Sequence, residues 1–290
     1  MIRLIRLLLF GLVVVAFGAA ETPPKASHDP EAVAQLVLSI YREAGPKLGC
    51  KFVEADLVIT LAGLRATNEC WTTVTPASQE DEQRLKQLAP ILEPRGLRLV
   101  TKWDERQQIL HFGVISLEGL ERVTRESHLP EVVPFQSTQG WPGFELYKKT
   151  LTESVRKDPG KSDGAADLVR GLYLGYPDRA LLDFATAVRG RPVQIARIGW
   201  ADYYECPEPR WEMTNQSLKD PQVLEIEARW SQFLERFYAS PSHQLLAKEK
   251  DFLAARRGNV LCHQAWLEKY RDIHKFPTSR ERIRLGLVKS

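Results

Sequence analysis

The sequence predicts an α+β protein: a small antiparallel sheet with helices in the first half, followed by a mainly α-helical second half. Two observations carry this. Apolar residues recur at two-residue spacing near residues 97–116, and at alternating three- and four-residue spacing from residue 165 onward. A third observation sets the context. Arg3 and Arg6 precede an apolar run from Leu7 to Phe17, and Gly18-Ala19-Ala20 follows it, the order of features in a secretory signal peptide cleaved after Ala20. The expected organisation is a signal peptide over 1–20 and a polar lead-in over 21–28. An α+β unit over 29–127, a crossover over 128–143 and a mainly helical unit over 144–290 follow.

Asp29 is a cap and Pro30 a first-turn residue, so a helix begins there. Val33, Leu36, Val37, Ile40 and Tyr41 form its apolar face, and Gly45-Pro46 stops it. Leu57 to Leu61 and Cys70 to Thr75 carry the β-branched residues of short strands, with Gly63 and Asn68 between them. Ser78 caps a helix whose Leu85, Leu88, Ile91 and Leu92 run at helical spacing until Pro94 and Gly96. Leu97 to Trp103 and Gln108 to Ser116 flank a four-residue loop, a β-hairpin in which Leu110, Phe112 and Val114 point one way.

The Pro- and Gly-rich stretch from His128 to Gly143 predicts a crossover. Leu168, Val169, Leu172 and Tyr173 end at Gly175, and Tyr176-Pro177-Asp178 opens another helix, giving a helical hairpin. Asp220-Pro221 starts the longest helix, with Val223, Ile226, Trp230, Phe233 and Phe237 on one face. Ser240-Pro241 starts the next, expected to run to Gly258, and a last helix carries Trp266 and Tyr270 before a basic tail.

Composition excludes several classes. At 43% hydrophobic and 27% charged the chain is ordinary for a folded protein. Without Arg3 and Arg6 its cations fall from 40 to 38 against 37 acids, so no global field favours nucleic acid. No run after the leader is long enough to span a bilayer. No His pair has the spacing of a metallohydrolase, and no cofactor motif occurs. Gly160-Lys161-Ser162-Asp163-Gly164 matches a nucleophile elbow in letters but lacks the apolar strand that must precede one.

In an oxidising compartment the four cysteines invite pairing, and Cys50 with Cys70 and Cys206 with Cys262 keeps each bridge within one half of the chain. The second bridge would bring His263 near Glu205, and these two are the catalytic candidates. Trp200, Tyr203, Tyr204 and Trp211 lie in twelve residues interleaved with Asp202, Glu205, Glu208 and Glu212. Such rigid amphipathic side chains suit recognition of a protein, peptide or glycan. The sequence therefore points to a secreted or periplasmic, non-catalytic binding protein of the bacterial envelope or exterior. An envelope hydrolase using Glu/His or paired-carboxylate chemistry is the alternative.

Overall fold

The computed structural model describes residues 28–68, 72–129, 141–142, 145, 149, 168, 171–188, 195–199, 210–214 and 220–253. The expected signal segment, the Gly160–Gly164 motif, the helix expected after residue 261 and the basic tail lie outside these residues. Helix α1 (Pro30–Ala44) opens as its sequence dictates: the Asp29 carboxylate accepts the Glu31 amide at 3.2 Å, and Val33, Leu36, Val37 and Ile40 are buried. Gly45, at φ +80°, ends it, and α2 (Pro46–Gly49) and a 3-10 turn over Cys50–Val53 carry the chain into the core.

The first departure from expectation is α3 (Ala55–Leu61), a helix where the β-branched run predicts a strand. Every one of its residues is buried. A segment packed on all sides shows neither the two-residue nor the 3.6-residue alternation, so composition alone misassigns it. The Thr60 hydroxyl donates to the Asp56 carbonyl at 2.9 Å and is thereby satisfied inside the helix.

The predicted sheet is present. Strands β1 (Thr72–Val74), β2 (Leu97–Asp104) and β3 (Ile109–Ser116) form an antiparallel sheet in the order β1-β3-β2. The hairpin register pairs Asp104 with Ile109 and Leu97 with Ser116. Leu110, Phe112 and Val114 of β3 are fully buried, and Phe112 stacks on Phe52 with ring centroids 5.2 Å apart. Between β1 and β2 the expected single helix is split into α4 (Gln79–Lys86) and α5 (Ala89–Leu92). Ser78 and Asp81 form a reciprocal capping box at the start of α4, and Pro90, which has no amide to donate, sits in the first turn of α5.

Helix α6 (Leu117–Glu126), absent from the sequence expectation, follows β3 directly; its cap is the Ser116 hydroxyl, which accepts the Gly119 amide at 3.1 Å. In the second half, α7 (Asp178–Val188) begins after Gly175 at φ +73°, as expected. Strands β4 (Ile195–Gly199) and β5 (Arg210–Thr214) add a two-stranded antiparallel sheet to the unit expected to be mainly helical, and α7 packs against β5. Helix α8 (Pro221–Tyr238) is capped by Asp220, and α9 (Pro241–Leu246) by Ser240. The helix expected to continue to Gly258 is interrupted at residues 247–249 and resumes over 250–253.

One hydrophobic core joins α1, α3 and the sheet with Val223, Ile226, Trp230, Phe233, Leu234 and Phe237 of α8. The Tyr238 hydroxyl donates to the Val53 carbonyl at 2.9 Å. A second cluster, built from Ile115, Leu120, Val123, Leu172, Tyr173 and Leu181, fills the space between α6 and α7.

Candidate functional site

Long helices create surface where their ends meet other elements, and α8 does so on two sides. On one side its first turns meet the end of α6 and the start of α7. Asp178, the first residue of α7, accepts the Ser127 hydroxyl at 2.6 Å and the His128 amide at 2.7 Å. Gln222 of α8 bridges the two helices, accepting the Asp178 amide at 2.9 Å and donating to the Glu126 carbonyl at 3.2 Å. Arg229 chelates the Glu126 carboxylate with both terminal nitrogens at 2.8 Å. These groups border an open groove of about 620 Å³ that also takes in Arg179, Leu182, Asp220 and Glu225. Its carboxylates at 126, 178 and 220 act as caps and ion-pair partners, so the helix start at Asp178 is satisfied from within the protein.

On the other side α8 faces the start of α1 and the flank of α6. His28, Pro30, Leu64, Arg122, Glu225, Ala228, Arg229, Gln232, Phe233 and Arg236 line a second groove of about 460 Å³. Arg122 is fixed there by donation from Nε to the Gly63 carbonyl at 3.2 Å and by the His28 ring at 2.7 Å. The neighbouring acids Glu118 and Glu126 lie 3.9 and 3.6 Å from its guanidinium, and Glu118 also contacts His28. Burial and the adjacent Arg229 charge hold the Arg122 pKa below its usual value.

Outside the lining of both grooves lies a buried polar cluster. Asp56 of α3 pairs with Arg65, both of them excluded from solvent, and Arg65 also donates to the Thr67 carbonyl at 2.6 Å and lies over the Trp230 ring at 5.7 Å. Glu54, two residues before Asp56, is 4% exposed, with the Lys51 ammonium 3.5 Å away. Burial pushes the Glu54 carboxyl up to about 8; Lys51 and the Thr72 hydroxyl pull it back, and the Asp56 charge pushes it further up. A carboxyl held neutral at pH 7 can donate a proton, but no residue of either groove is among the groups that shift it.

The residues singled out from sequence are distributed unevenly. Trp211 lies in β5, opposite Ile198 of β4. Trp200, Tyr203, Tyr204, Glu205 and His263 lie outside the described residues, as do Cys70, Cys206 and Cys262. Cys50 is buried in the core, its thiol 3.4 Å from the Lys47 carbonyl. Among the described residues there is no cluster of His, Cys, Asp or Glu able to hold a metal ion, and no helix long and apolar enough to cross a membrane. Sequence reading missed Asp56, Arg65, Glu126 and Arg229. The first pair carried a signal: a lone Asp inside an apolar run requires a buried partner.

Comparison with models of protein families, with curated proteins and with solved structures returns no match for the chain.

Proposed function

We propose that the chain is an exported, non-catalytic binding or interaction protein of the bacterial envelope or exterior, and that its contact surface is built on the β4-β5 hairpin. One observation carries this reading. The pairing of β4 with β5 closes at Gly199 and Arg210, so Trp200, Tyr203 and Tyr204 belong to the stretch connecting two paired strands, and Trp211 is the second residue of β5. Connections held by a rigid scaffold are where recognition residues concentrate. Here the scaffold includes α7, which packs on β5. Aromatic side chains add contact area at small entropic cost, and Asp202, Glu205, Glu208 and Glu212 make the same stretch of sequence acidic. The partner class is a protein, peptide or glycan exposed outside the cytoplasm.

The test is the double variant Tyr204→Ala with Trp211→Ala, expressed with the native leader. Crosslinking in the exporting cell should capture a partner with the parent chain and lose it with the variant, while the melting temperature stays within about 2 °C. A collapse in melting temperature would make these aromatics core residues and overturn the reading. Intact-mass measurement of the exported chain should show Glu21 as its first residue; retention of residues 1–20 on a membrane-bound product would overturn the export assignment.

A further inference from the structure

The groove between α1, α6 and α8 has an asymmetry that the hairpin reading does not use. Glu225, Arg229, Gln232, Phe233 and Arg236 fall at steps of four, three, one and three, so they occupy one stripe of α8. Within the stripe the charges are not evenly compensated. Arg229 is chelated by Glu126, and Arg122 is held by Glu118, His28 and the Gly63 carbonyl. Arg236 is exposed and has no anionic partner among the described residues. The one carboxylate in the groove lining, Glu225, is eleven residues away, about 16 Å along the helix axis, too far to neutralise it. Arg125, on the outer surface of α6, adds another cation to the field at Arg122.

Donor capacity is in excess at the same end. Arg236 and Gln232 stand one turn apart, and neither side chain has a hydrogen-bond acceptor among the described residues. About two turns nearer the start of α8 the Arg229 Nε donor is buried with no acceptor among the described residues, and the Glu118 Oε2 acceptor is likewise buried with no donor. Beside these donors the groove floor is apolar: Leu64 and Phe233 are 5% and 7% exposed, and Pro30 and Ala228 complete it. A volume of about 460 Å³ admits a ligand of roughly one ring and a short chain.

We propose that this groove binds a small organic monocarboxylate, its apolar body lying on Leu64, Phe233 and Pro30 and its carboxylate accepting from the Arg236 guanidinium and the Gln232 amide. One spare guanidinium sets the charge of the ligand, and the apolar floor distinguishes it from inorganic phosphate or sulfate. A guanidinium presents paired donors that match the two oxygens of a carboxylate, which a lysine would not.

The experiment is calorimetric titration of the full exported chain with 3-phenylpropionate and with its neutral isostere 3-phenylpropanamide. The acid should bind at least about tenfold more tightly than the amide, with affinity falling as salt is raised. Arg236→Gln should reduce acid binding to the level of the amide, a loss of about tenfold or more, without moving the melting temperature. Arg236→Lys should recover part of it. Inorganic phosphate should not compete. Equal binding of acid and amide, absence of acid binding at millimolar concentration, competition by phosphate, or an unchanged affinity in Arg236→Gln would each overturn the proposal. The hairpin variant should bind the acid normally, which separates this site from the aromatic surface.

Discussion

Glu54→Gln isolates a single buried proton. In the folded chain the Glu54 carboxyl is pushed up to about 8 by burial, against an ordinary value of 4.5. The folded state therefore keeps the proton that the unfolded chain releases. A carboxyl with a raised folded pKa contributes its full stability below the unfolded value, and that stability is lost as pH rises through the folded value. The window runs from about pH 4.5 to about pH 8. Each unit of displacement is worth about 1.4 kcal/mol, so the loss across the window reaches about 3–5 kcal/mol, a large share of a typical domain's stability. Glutamine has nearly the volume of the neutral acid and no proton to lose. Urea unfolding followed by tryptophan fluorescence at intervals from pH 5 to pH 9 should give nearly equal stabilities at the acid end, with the variant progressively more stable toward the alkaline end. Other titrating groups act on both chains and cancel in the difference. A difference that stays constant across this range would refute the reasoning, because it would show that Glu54 has the same proton affinity folded and unfolded.

Asp56→Ala removes one member of a solvent-excluded ion pair and leaves the Arg65 guanidinium uncompensated; it should cost about 3–5 kcal/mol in the same assay, and a loss below about 1 kcal/mol would show that water reaches the pair. Gly119→Ala places a methyl group 1.9 Å from the Arg65 carbonyl oxygen, which is main chain and cannot swing away; the expected loss is about 3 kcal/mol or more, read as a lowered denaturation midpoint. Ser116→Ala removes the side chain that caps α6 and should cost about 1 kcal/mol, whereas Ser116→Asp should cost more, because the site is fully buried and the added carboxylate has no cation to pair with among the described residues.

What was legible in the sequence was chiefly local chemistry. Asp29-Pro30, Ser78, Asp220-Pro221 and Ser240-Pro241 all open helices, because a short acceptor side chain placed before a free amide needs nothing distant to act. The hairpin of β2 and β3 was readable for a similar reason: one half-buried face imposes a two-residue period. The α3 segment was not, since burial on every side removes the contrast that periodicity detects. Helix α6 carries a usable signal in Leu117, Leu120 and Val123, masked by the charged residues between them. The second groove could not be read at all, since it joins His28 and Pro30 to Arg122 and Arg236, and no local pattern specifies that meeting.

Residues 65–67 acquire a further meaning from what surrounds them. The Ala66 and Thr67 amides both reach the Tyr173 carbonyl at 3.2 Å, the Ser116 amide reaches the Ala66 carbonyl at 2.8 Å, Gly119 lies against the Arg65 main chain, and Arg65 sits over Trp230. Three stretches, at residues 116–119, 173 and 230, thus converge on three consecutive positions from tens to more than a hundred residues away. A chain that emerges N-terminus first cannot complete this junction until α8 has followed. Until then the surfaces of α1 and α3 that α8 covers face solvent, and the Arg65 charge lacks its aromatic neighbour. Assembly is consequently coupled to the arrival of the C-terminal half, and a chain that stalls before residue 221 presents an incomplete core to whatever chaperones and proteases surround it.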